Sequence, residues 1–238
     1  MNTELLYTGD DCNDNWLFNK YYYSGGNARY CTTQLALNLL FQFTEKPIII
    51  ETGCQRQEDD IGAGMSTSIF AEYISRYGGR LISVDNNEHH LRIAEACVAQ
   101  WSKSDMSFIC SDSVRFLEKY KGSCDLLYLD SWDYPYVELA NMYCAGKSFE
   151  FGVGVLKSMG RAKLLELHED MITPCQEHAV KEFVGIEGNF GPQSLVLIDD
   201  NQFAGGGKSY LLKQYLLKQG WLCLFDFQST LWIKKVQA

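Results

Sequence analysis

Basic residues are the scarce ones in this 238-residue chain: Lys and Arg total 21 against 30 Asp and Glu, a net charge of −9. They are scattered rather than gathered into a patch. A phosphate backbone would be repelled, so nucleic acid is not an expected partner. Long apolar runs are lacking too; none approaches the ~20 residues that span a bilayer, and no membrane partner is expected. The start, Met1-Asn2-Thr3-Glu4, has no basic segment leading into an apolar one, so no signal peptide is expected. Nine cysteines are present, but no two form a C-x-x-C pair, which removes the common zinc spacings. A reduced, cytoplasmic setting follows, with most cysteines acting as small buried apolar groups. There is no internal repeat or low-complexity tract.

What the chain does have is apolar residues at 46%, enough for one large α/β domain or a core domain with a cap. From Lys46 onward, short apolar runs alternate with helix-like segments. Ile48-Ile49-Ile50 stops at Glu51-Thr52-Gly53, and Leu81 to Val84 stops at Asp85. Met106 to Cys110 stops before Asp112-Ser113, and Leu126 to Leu129 stops at Asp130. This rhythm predicts parallel strands joined by crossover helices. Ligands bind such sheets at the carboxyl ends of the strands, so repeated acids there point to a nucleoside-like ligand.

Helices are expected from Ser66 to the Gly78-Gly79 pair, from about Glu88 to Trp101 and from Val114 to Tyr120. Roughly sixty residues then separate Asp130 from the next clear strand, Ser194 to Ile198, where a crossover needs about a dozen. Helical patterns at 137–143, 156–167 and 176–183 predict an insertion over about 134–190, forming a cap or an oligomer contact, possible homodimer included. A helix from Lys208 to Gln219 and strands at 221–227 and 231–236 close the chain, the last two as an antiparallel hairpin. Residues 1–45 stand outside the alternation. The segment from Cys31 to Phe43 should pack on the core as a helix. Tyr21-Tyr22-Tyr23 with Gly25-Gly26 reads either as a flap or as ordinary surface packing.

Each strand end offers specific chemistry. Glu51 stands beside Gly53, where glycine lets a ligand approach the backbone. The helix opening at Gly64-Met65-Ser66 would aim free N–H groups at an anionic group. Asp85 can accept both ribose hydroxyls, and Asp112-Ser113 can bond an adenine edge or cap the next helix. Asp130 with Asp199-Asp200-Asn201 puts carboxylates on two strand ends expected to be neighbours. Oxygen ligands without thiolate would suit Mg²⁺ or a similar hard ion, the alternative being a solvated acidic rim. Gly205-Gly206-Gly207-Lys208-Ser209 looks like the end of a P-loop, but the glycine required at position 202 is Gln202. It reads as a flexible turn into a helix.

These residues resemble the motifs of class I S-adenosylmethionine-dependent methyltransferases, and most the metal-dependent small-molecule O-methyltransferases of the catechol and macrolide-sugar types. The likeness covers Ile48 to Asp133 and Ser194 to Ile233. Glu51-x-Gly53 with Gly64-Met65-Ser66 is similar to the family's E-x-G…G-Y-S, and Asp85 to its ribose-binding acid. Leu129-Asp130-Ser131-Trp132 resembles its L-D-x-W, and Leu197-Ile198-Asp199-Asp200 its second metal motif. The resemblance implies a Rossmann-like, doubly wound seven-stranded sheet with an antiparallel last strand. It also implies methyl transfer to a hydroxyl of a small molecule, with Asp130, Asp199 and Asp200 around a divalent metal, Mg²⁺ above all. The loop from Gln55 to Ala63 is longer than the family's turn. Asp133 stands where the catechol enzymes carry a catalytic lysine, and it suits the base of the sugar enzymes. His178, within the insertion, is the other candidate base. A dinucleotide-dependent oxidoreductase is the weaker reading, because Gly53-Cys54-Gln55 lacks G-x-G-x-x-G. A non-catalytic binding module of the same fold is the third.

Overall fold

The computed structural model describes residues 29–58, 65–203 and 205–235. The Tyr21–Tyr23 flap, Gly64 and most of the acidic stretch 58–60 lie outside the described residues. Eight α-helices and seven strands follow in the order α1 (Arg29–Phe43), β1 (Ile48–Thr52), α2 (Ser66–Tyr77), β2 (Arg80–Asp85), α3 (Glu88–Cys97), β3 (Asp105–Cys110), α4 (Ser113–Lys119) and β4 (Cys124–Leu129). They continue with α5 (Tyr136–Met142), α6 (Phe149–Ser158), α7 (Arg161–Ile186), β5 (Phe190–Ile198), α8 (Tyr210–Lys218), β6 (Leu222–Asp226) and β7 (Thr230–Ile233). One sheet holds all seven strands in the order β3-β2-β1-β4-β5-β7-β6. The first five are mutually parallel, and β7 runs antiparallel to both β5 and β6.

The central strands are apolar throughout because both faces are covered, and alternate residues feed two cores. Ile49, Leu81, Leu126, Tyr128 and Leu195 pack with α1 and α2. Ile50, Ile82, Leu127, Leu129 and Val196 pack with Leu117 of α4, Phe183 of α7 and Leu212 of α8. Crossovers from β4 onward all fall on this second face, which would leave the first face of β4, β5 and β7 bare. α1 lies there, against those three strands. This first described helix is thus part of the core.

The interval 134–190 contains two kinds of structure. Tyr134, Leu139, Leu156, Leu164 and Ile172 form a small separate core built from α5, α6 and α7 as far as Cys175. The second half of α7 contributes Ala179, Phe183 and Ile186 to the sheet's own core, so it is the ordinary β4–β5 crossover helix. The cap part of α7 is kinked at His168, whose backbone is non-helical (φ −141°, ψ 30°). Its ring nitrogen Nε2 bonds the Tyr143 hydroxyl at 2.6 Å. Pro174 then removes an amide hydrogen bond a turn later. The single helix expected over 156–167 is broken instead at Met159-Gly160, because α6 and α7 must turn around that core.

Candidate active site

The strand ends β1 to β4 open into a cavity of about 590 Å³, lined on one side by Gly53, Asp85, Asp112, Ser113 and Ser131. Tyr134, Glu138, Met171 and His178 of the cap side close the other. Gly53 is there because nothing larger fits. Its φ is +81°, and a Cβ would lie 2.3 Å from the Asp130 carbonyl oxygen. Its N–H donates to the Val84 carbonyl at 2.8 Å, tying the turn to β2.

Beneath the turn, Glu51 is fully buried. The Ser83 hydroxyl donates to its Oε1 at 2.7 Å, while Oε2 makes no hydrogen bond. Burial raises its pKa to about 7, and the nearby hydroxyls of Thr67, Ser83 and Ser66 offset only part of that. α2 begins at Ser66, as expected, and Ser66 is its first helical residue rather than its cap. Met65 holds the N-cap with φ 42° and no side-chain capping bond, so the helix begins with its first N–H groups uncapped by a side chain. The Thr67 hydroxyl accepts from the Gln55 N–H at 2.9 Å, and the Ser68 hydroxyl donates to Gln55 Oε1 at 2.6 Å. The loop after Gly53 is thereby stitched to the start of α2.

Asp85 closes β2 with its carboxylate at the cavity. Its Oδ1 accepts the Asn87 N–H at 2.8 Å and its Oδ2 the Cys54 N–H at 3.3 Å. Oδ2 also accepts the Cys54 thiol at 3.5 Å, and Oδ1 lies 3.5 Å from His90 Nδ1. Asp112 caps α4, accepting from the Arg115 N–H at 2.8 Å. Ser113 bonds His178 Nε2 at 3.1 Å, and Trp132 leans on the His178 ring at 5.1 Å between centroids. His178 therefore stands at the end of β3, 3.5 Å from Glu182. Asp133 is at the rim, 65% exposed, in a two-bond pair with Arg56 at 2.9 and 3.0 Å. The Arg56 guanidinium holds its carboxyl below the usual carboxylate range, against the upward pull of burial, which makes it a weaker base. Both candidate bases border the cavity, each with a separate partner.

The acidic ends of β4 and β5 are neighbours, as expected. The metal expected between them does not fit. Lys208 occupies the place, its Nζ 2.5 Å from Asp130 Oδ1 and 3.6 Å from Asp200 Oδ2. Asp199 turns away into the protein, accepting the Tyr128 hydroxyl at 2.9 Å and the Asp200 N–H at 2.8 Å. Among the described residues no cluster of three His, Cys, Asp or Glu side chains could hold a metal ion. Burial alone would lower the Lys208 pKa, but the charges of Asp130, Asp200 and Asp199 more than reverse this and hold it above the usual lysine range. Lys208 is the site residue that the sequence did not reveal. Its signal was a lone lysine just after the Asp199-Asp200 strand end, hidden by the likeness of its glycines to a phosphate loop.

No family model matches the sequence, and no curated protein does. Solved structures do match the fold. One is a Streptococcus mutans protein described as a methyltransferase, in complex with S-adenosylhomocysteine. It aligns with a TM-score of 0.52 over 85% of this chain and 97% of its own, at 10% identity. The fold is that of the methyltransferases. A TDP-rhamnose 3′-O-methyltransferase of calicheamicin biosynthesis aligns with a TM-score of 0.52 over 96% of this chain and 89% of its own, at 13% identity. A Clostridium thermocellum protein described as an rRNA methylase aligns with a TM-score of 0.51 over 86% of this chain and 97% of its own, at 8% identity.

Proposed function

We propose that this protein transfers a methyl group from S-adenosylmethionine to a hydroxyl of a small molecule held between the strand ends and the cap. The observation that carries the reading is the pair of acids at the Gly53 turn: Glu51, buried beneath it with Oε2 making no hydrogen bond, and Asp85, whose carboxylate lines the cavity. A buried carboxylate oxygen without a partner costs free energy unless a ligand satisfies it. The amino group of the cofactor's methionine end has the matching charge.

In this reading Glu51 accepts from that amino group, and the opening turn of α2 at Ser66 faces the carboxylate beside it. Asp85 accepts the two ribose hydroxyls, Asp112 and Ser113 border the base, and Asp130 floors the pocket through the carbonyl that Gly53 touches. Bound there, the cofactor supplies a methyl group already activated on a sulfonium. The chain's own contribution is alignment and exclusion of water: Tyr134 and Met171 cover the cavity, and the acceptor oxygen must be held behind the methyl. No step is assigned to a divalent ion, because the Lys208 ammonium stands in its place.

Two features favour a small acceptor over RNA. The net charge is −9, and Asp112, Asp133 and Glu138 line the cavity, so a phosphate chain would meet like charge. The reading is tested by calorimetric titration of S-adenosylhomocysteine into the wild type and Asp85→Ala. Binding that the variant loses while staying folded supports it. A folded wild type that binds nothing moves the function to a non-catalytic module.

A further inference from the structure

The acidic ends of β4 and β5 carry their own cation. We propose that Lys208 is the resident counter-ion of this site, standing where a divalent metal would bind Asp130 and Asp200, so that the protein binds no divalent metal there. The catalytic meaning rests on the methyl-transfer reading; the occupancy does not.

The geometry is that of a built position rather than a surface lysine swung inward. The Lys208 side chain is 3% exposed and its ammonium reaches both carboxylates. Its backbone is fixed from several sides. The Lys208 N–H meets the Asp200 carbonyl at 3.3 Å, and Gln176 Nε2 donates to the Gly207 carbonyl at 2.7 Å. The Ser209 hydroxyl donates to Asn201 Oδ1 at 2.5 Å. At Gly207 the φ is +61°, and a Cβ would lie 1.9 Å from the Asp200 carbonyl oxygen. Only glycine lets the chain fold back so closely that the next residue's ammonium returns to its own strand end. The triple glycine thus serves to place a lysine against carboxylates, not to cradle a phosphate.

A hard divalent ion needs six or more oxygen ligands or waters. To enter, it would have to displace an ammonium that is already buried and paired, leaving that charge with no solvent to receive it. Asp199, the third acid of the cluster, is committed to Tyr128 and the Asp200 amide. Lys208 is accordingly a positioning residue, paired with the Asp130 carboxylate beside Gly53.

The test is metal binding, read without any cofactor. Chelator-treated wild type, Lys208→Ala and Lys208→Ala/Asp130→Asn are titrated with Mn²⁺ and followed by electron paramagnetic resonance. The expected result is no saturable binding in the wild type, one equivalent in Lys208→Ala, and none in the double variant. Saturable binding by the wild type that Asp130→Asn abolishes would overturn the proposal, as would a folded Lys208→Ala that stays metal-free. If Lys208→Ala does not fold, urea unfolding of Lys208→Met and Lys208→Met/Asp130→Asn decides. Recovery of stability in the double variant supports the pairing, and no recovery overturns it. None of these readouts involves S-adenosylmethionine, so a failed cofactor titration and a failed lysine proposal remain separate results.

Discussion

The two halves of the sheet treat acidic strand ends in opposite ways. On β1 and β2, one Glu51 carboxylate oxygen is buried without a partner, and the Asp85 carboxylate, held by neighbouring N–H groups, borders a cavity. On β4 and β5, Asp130, Asp199 and Asp200 are answered by Lys208, Tyr128 and a backbone amide. The first half leaves a buried acid without a partner in the free protein; the second pairs its acids within the chain. Carboxylates at strand ends therefore mark a site only where the chain has not already satisfied them. A buried acid with a pKa raised to about 7 shows the cost of leaving one open.

The sharpest way to break this contrast is at the turn that joins the halves. Gly53→Ala would place a Cβ 2.3 Å from the Asp130 carbonyl at a φ of +81°. Backbone strain and overpacking together should cost about 3 kcal/mol or more, read by urea unfolding, with S-adenosylhomocysteine binding lost as well. Asp85→Ala comes next. On the proposed reading it removes the acid that binds the ribose, so affinity should fall about a hundred-fold or more; losing the acceptor of the Asn87 and Cys54 N–H groups should also cost about 1–3 kcal/mol of stability. If both variants bind like the wild type, the open half is not the cofactor site.

Much of this contrast was legible in the sequence, but only to the depth that local pattern reaches. Ile48–Thr52 and Leu126–Leu129 stand out because strands buried on both faces read as unbroken apolar runs. Their terminal acids are legible for the same reason: they interrupt those runs. What pattern does not carry is who answers each acid. Glu51 and Asp130 look alike in one dimension. They differ because Lys208, 78 residues beyond Asp130, is folded back by a glycine whose Cβ would collide with Asp200. The division within α7 was hidden similarly, since 169–186 has helical spacing whether it belongs to a cap or to a crossover. Only the third dimension assigns Phe183 to the sheet and Leu164 to the cap.

A subtler variant sharpens the open half. Glu51→Gln keeps the shape and removes the charge. Because the folded pKa of about 7 lies above the ordinary glutamate value of 4.5, burial of Glu51 works against the free protein once the unfolded chain ionises. That penalty is absent below pH 4.5, grows between the two values and is complete above about 7. Glu51→Gln should therefore raise the melting temperature of the free protein at pH 8 and leave it nearly unchanged at pH 4.5. Cofactor affinity should fall about ten-fold, one charge-assisted hydrogen bond being weakened. In the wild type, affinity should drop as pH falls through about 7, because an ammonium needs the ionised carboxylate. A flat pH profile would mean that Glu51 does not face the amino group.

The smallest effect is expected at the rim, where Asp133 meets Arg56. The pair is exposed, 65% and 38% on its two sides, so its loss in Asp133→Asn should cost less than about 1 kcal/mol. The kinetic outcome discriminates more. A general base supplies about 10²- to 10⁴-fold in rate, but here Arg56 engages both carboxylate oxygens and lowers the pKa. Asp133→Asn should accordingly raise KM several-fold through a loosened cavity mouth and leave kcat within about three-fold. A fall in kcat of about a hundred-fold with KM unchanged would restore Asp133 as the proton acceptor. It would also place reactive chemistry in a region whose charges the free protein has otherwise already paired.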